Sequence, residues 1–199
     1  MRISEDRYSR DLRRLNLARR FIQHNVRTRW ICRLTGLSDS RVRNLFHSYQ
    51  GSRVRRGRPR GSKSFFLKSP TLRDEASAAG SLAYVLGAFA PGRAAGRSLE
   101  TGERLCDAFD FYREVIPEAR LTLDELILLV EALEEGSELE IGRCAQCHCA
   151  WLVDRLGTDR RICASCKEHV RCAAVPPMTS FPVVGTPLDP VEAQLPLDL

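Results

Sequence analysis

No stretch of the chain approaches the roughly 20 apolar residues that a membrane span requires, and residues 1–6 contain no apolar run of the kind a secretory signal needs. A cytoplasmic protein without a membrane role is the expectation. Histidine is equally sparse. The four present, His24, His47, His148 and His169, form no acid/base group, and there is no phosphate-binding glycine loop, no His-Glu-x-x-His and no Gly-x-Ser-x-Gly. These absences argue against an enzyme and against a small-molecule substrate. Asp110, Asp124 and Glu125 could be imagined around a nuclease metal, but they fall on amphipathic helical patterns and read as solvated faces or caps.

Acidic residues are scarce in one part of the chain above all. Residues 1–63 hold 18 of the 31 Lys and Arg but only Glu5, Asp6, Asp11 and Asp39, a net of +14, whereas the remainder carries 13 basic and 21 acidic groups, a net of −8. Such a division points to an N-terminal third that binds a polyanion, double-stranded DNA in the first place, followed by a scaffold or partner-binding region.

The pattern of apolar residues supports that reading. From Asp6 to Val26, Tyr8, Leu12, Leu15, Ala18, Ile22 and Val26 recur every three to four residues, which predicts a helix with one apolar stripe and Arg13, Arg14, Arg19 and Arg20 mostly off it. Between Thr28 and Gln50 a short helix containing Ile31 and Cys32 runs into Thr35, Gly36 and Leu37, where glycine permits a turn. Ser38 then caps a second helix that buries Val42, Leu45 and Phe46. This is the grammar of a helix-turn-helix. The second helix would present Ser40, Arg41, Arg43, Asn44 and His47, types that reach phosphates or base edges. The arm that follows carries Arg53, Arg55, Arg56, Arg58 and Arg60 among glycine and proline, which excludes a helix interior or central strand. Arg56 to Arg60 resembles the core of an AT-hook, a minor-groove motif, and a linker contacting backbone phosphates is the alternative.

Three further helices are expected. One runs from near Leu72 to near Phe89 with Ala76, Ala79 and Ala83, the second from about Glu103 to Ile116 burying Leu105, Phe109 and Tyr112. The third starts with the capping box Thr122 and Glu125 and ends at Gly136. Six of the ten prolines fall in residues 173–199, which predicts an extended or flexible tail. The expected fold class is mainly α. It comprises a basic helix-turn-helix region with its Arg-rich arm (1–63), a helical scaffold (64–140), a small four-cysteine zinc-ribbon-like module (141–172) and the Pro-rich tail (173–199).

The module rests on Cys144, Cys147, Cys163 and Cys166, two Cys-x2-Cys pairs 15 residues apart, a spacing that surrounds one Zn2+ per chain with four thiolates. Four sulfurs leave no open coordination position, so the ion would be structural. The 15-residue insert is expected to fold back as a hairpin. Cys149, His148, His169 and Cys172 lie close enough to replace one ligand. The other cysteines read as thiols in a reducing compartment.

Taken in order, the basic helix, the helix-turn-helix with the stretch from Val42 to Gly51, the Gly/Pro/Arg loop, the aromatic step Phe65-Phe66, the helical middle and the four-cysteine module resemble the FlhC family of bacterial flagellar transcriptional activators. The likeness spans roughly residues 6–170. It implies zinc held by the four cysteines, a hetero-oligomer with an FlhD-like subunit, binding upstream of flagellar (class II) promoters and recruitment of RNA polymerase. A protein-binding zinc adaptor with a non-specific basic arm is the alternative, and a DNA-processing enzyme with a zinc module a third.

Overall fold

The computed structural model describes residues 3–50, 63–90, 98–157 and 161–167. The described residues are mainly helical: α1 (Ile3–Gln23), α2 (Thr28–Thr35), α3 (Asp39–Gln50), a 3-10 turn (Lys63–Leu67), α4 (Pro70–Val85), α5 (Leu99–Val115) and α6 (Leu123–Glu135), followed by β1 (Leu139–Arg143) and β2 (Ala150–Asp154). The arm and the Pro-rich tail lie outside them.

Helix ends follow from local chemistry. Ser69 and Ser98 accept from Leu72 N and Thr101 N at the starts of α4 and α5, each at 3.2 Å. The capping box of α6 forms as expected, with Glu125 N donating to Thr122 Oγ1 (3.4 Å) and Thr122 N to Glu125 Oε2 (2.9 Å). Such a cap contributes about 1 kcal/mol. At the other end Gly136 adopts φ 59° and closes on Ala132 O. Asn25, at φ 55°, ends α1 and lets Val26 fold back into the core.

The core forms around α6, which buries Leu123, Leu126, Ile127, Leu129, Val130 and Leu133 and meets α4, α5, the 3-10 turn and β1. Small residues on α4 admit close approach. Ala76, Ala79 and Ala83 are fully buried, and a Cβ on Gly80 would lie 3.3 Å from Leu133. Helices α1 and α2 pack on α5, where Gly102 takes a close contact: a Cβ there would meet Leu17 Cδ2 at 2.7 Å, with Phe21 and Leu34 close behind.

In α1 the buried residues are Leu17, Ala18, Phe21 and Ile22, with Val26 buried just beyond its end, whereas Tyr8 and Leu12 are 71% and 46% exposed. The expected stripe therefore holds only in its second half. Tyr8 and Leu12 precede Arg13, where the described ion pairs with α5 begin.

The hairpin also differs from expectation. Its strands are β1, which precedes the first cysteine pair, and β2, at the start of the insert, paired antiparallel with Ile141 opposite Leu152. Alternation along β2 splits its side chains between two clusters: Leu152 joins the main core, while Trp151 and Val153 join the cysteines. Helix α4 holds this strand. Ser77 Oγ accepts from Leu152 N (2.8 Å) and Arg73 Nε donates to Leu152 O (2.8 Å).

Candidate metal centre and nucleic-acid interface

Cys144 closes β1, and the backbone then turns sharply: His148 N donates to Cys144 O (3.0 Å) and Cys144 N to Cys149 O (3.0 Å), with His148 in the left-handed region at φ 59°. The second pair arrives through Ala145 N, which donates to Arg161 O (2.8 Å), and Lys167 N closes a helical turn on Cys163 O (3.1 Å). These connections bring the sulfurs of Cys144, Cys147, Cys163 and Cys166 within 4.8 Å of one another.

The donor set fits a thiophilic metal ion such as zinc. Sulfurs about 2.3 Å from a tetrahedral ion stand about 3.8 Å apart, and Cys147 and Cys163 are separated by 3.7 Å. Backbone N–H groups aim at the sulfurs, from Gln146 (3.4 Å) and Cys163 (3.3 Å) to Cys144, and from Cys166 to Cys163 (3.5 Å). Such donors favour thiolates. The N–H groups of Cys147 and Cys163 pull the Cys144 thiol down to about 6, whereas sharing a proton with Cys147 and Cys163 pushes Cys166 up to about 12. Four sulfurs this close ionise in steps, and a cation relieves the repulsion that opposes the last.

Beneath the cluster lies Trp151, with the Arg73 guanidinium 4.5 Å and the Lys167 ammonium 6.0 Å from its ring centre. Sequence reasoning missed both the tryptophan and its α4 anchors. The alternation in Ala150–Asp154 carries the signal for the strand, whereas Arg73 and Ser77 have no local signature. Cys149, considered as a substitute ligand, lies outside the four-sulfur group. His169 and Cys172 lie outside the described residues.

A tight turn joins α2 to α3. Gly36 adopts φ 71° and donates to Cys32 O at 2.9 Å, Leu37 N donates to Thr35 Oγ1 (3.2 Å), and Arg41 N to Ser38 Oγ (3.4 Å). Val42 and Phe46 anchor α3 in the core, leaving Ser40, Arg41, Arg43, Asn44 and His47 exposed. Arg43 pairs with Asp39 one turn earlier, at 2.6 Å. Arg53, Arg55, Arg56, Arg58 and Arg60 lie outside the described residues.

Part of the remaining basic charge pairs with carboxylates of other helices. Arg20 bridges Asp107 (2.8 Å) and Asp110 (2.6 Å), His24 reaches Asp110 (2.8 Å), Arg13 pairs with Glu103, and Arg33 with Glu131. Arg27 adds a backbone bond to Asp124 Oδ1 (3.0 Å), so a carboxylate of α6 caps the start of α2. The division of charge along the chain is thus partly an internal seam. Asp110 and Asp124, read from sequence as solvated faces or caps, are components of it.

No helix among the described residues is long and apolar enough to cross a membrane. No family model matches the chain, and no curated protein matches it.

Proposed function

We propose that the chain is a DNA-binding regulator of transcription whose α2-turn-α3 unit contacts the duplex and whose four cysteines hold one Zn2+ as a structural clamp. The observation that carries this reading is α3 itself. One side of the helix is fixed by Val42 and Phe46, and the other presents two arginines, an asparagine, a serine and a histidine to solvent. Arginine and asparagine pair with guanine and adenine edges, and arginine also neutralises phosphate. The salt bridge from Arg43 to Asp39 is an exposed contact of small energy that a phosphate can replace.

A gel-shift titration across salt concentrations tests the assignment. Arg41→Ala and Arg43→Ala should each weaken binding and reduce the slope of log K against log salt by about one. Unchanged affinity and slope for both variants would remove α3 from the interface.

The finer reading follows the resemblance to the FlhC family: activation of flagellar operons in a hetero-oligomer with an FlhD-like subunit that helps recruit RNA polymerase. Co-purification with such a subunit and preference for flagellar promoter DNA over random DNA are its tests. One observation favours the adaptor reading instead. The pairing of Arg13, Arg20, Arg27 and Arg33 with carboxylates of α5 and α6 leaves less basic charge for DNA than the sequence suggests.

A further inference from the structure

Five thiols meet at the end of the hairpin, one more than a tetrahedral ion needs. The fifth is Cys149, exposed and outside the group of four. Its carbonyl accepts from Cys144 N at 3.0 Å, which holds the turn carrying Cys147 and Cys149 against the cluster. Cys147 is itself the exposed member of the cluster, whereas Cys144, Cys163 and Cys166 are buried. Cα atoms two residues apart cannot be separated by more than about 7 Å even in an extended chain. The turn at His148 shortens that distance, so the pair lies within disulfide reach.

We propose that Cys147 and Cys149 form an oxidation site at which a hydroperoxide makes an intramolecular disulfide and withdraws one sulfur from the metal centre. This rests on the four-cysteine metal reading. The Cys147 thiolate attacks the peroxide O–O bond, forming S–O as O–O breaks, and the departing hydroxide takes a proton and leaves as water. The Cys149 thiolate then displaces the second oxygen from sulfur as hydroxide, which is protonated to water, and the S–S bond forms. Two thiols and one H2O2 give one disulfide and two waters, the sulfurs supplying both electrons. Three sulfurs no longer complete the shell, and the ion is released. A dithiol reductant with added Zn2+ reverses the change.

The test uses the full chain loaded with Zn2+ and treated with H2O2, with released metal followed by a colorimetric chelator and thiols followed by intact mass and peptide mapping. The wild-type chain is expected to release its ion with a mass loss of about 2 Da mapped to Cys147 and Cys149. Cys149→Ser should bind metal normally and release it about tenfold or more slowly. Release from Cys149→Ser at the wild-type rate overturns the proposal, as does a disulfide mapped to Cys163 or Cys166. Failure of Cys149→Ser to bind Zn2+ also overturns it, by making Cys149 a ligand. A wild-type chain that binds no metal sinks the metal reading, and the mapping still decides whether Cys147 and Cys149 are the reactive pair.

Discussion

At the scale of single residues the cysteine pairs were legible because two short spacings leave few geometries, and the capping box at Thr122 and Glu125 because each partner names the other. His148 was not. It occupies a left-handed position at φ 59°, where a residue with a Cβ is strained by about 1–2 kcal/mol, and nothing in a histidine announces that conformation as a glycine would. His148→Gly is therefore expected to raise resistance to denaturant by about 1 kcal/mol while keeping the backbone bond from residue 148 to Cys144 O. His148→Val should lower it. Equilibrium unfolding of both variants with metal bound measures the difference. Weaker metal binding by His148→Gly would show instead that the imidazole has a role at the centre.

Helix content was legible at the scale of elements because α2, α3 and α6 carry turn and cap residues at their ends. The facing of α1 was not. Periodicity reports which side chains can be buried and is silent on what arrives to cover them, so Tyr8 and Leu12 were grouped with Ile22 although they lie before the seam with α5. The seam itself depends on pairs about 90 positions apart, such as Arg13 with Glu103 and Arg20 with Asp110. The hydrogen bond from Arg13 holds the Glu103 carboxyl below its ordinary value of 4.5. The sign follows from linkage: the stabilisation is complete above pH 4.5 and is lost as the pH falls through the lowered value. Glu103→Gln should accordingly flatten the acid side of the stability profile, seen as a smaller fall in Tm between neutral pH and the acid limb than in the wild type. A parallel profile would mean that this pair contributes nothing to attachment of the N-terminal helices.

For the whole molecule, the structure ties the cysteine end to the helices more closely than a module drawn from sequence boundaries implies. Leu139 and Leu152 belong to the main core, and Ser77 and Arg73 of α4 bind the β2 backbone. Only the opposite face of the hairpin, with Trp151 and Val153, depends on the cysteines. The two tryptophans report on the two parts separately, because Trp30 is buried in the main core and Trp151 in the cysteine cluster. Removing a bound ion with a strong chelator would leave the four thiols without the cation that offsets their mutual repulsion. The cluster should then loosen around Trp151 while α6 and its neighbours remain packed on apolar contacts that involve no sulfur ligand. In a Trp30→Phe chain, chelation should therefore shift fluorescence to the red. In a Trp151→Phe chain it should leave emission unchanged, and far-UV circular dichroism should keep its helical signal in both. Loss of that signal in step with the metal would show that the ion holds the whole fold.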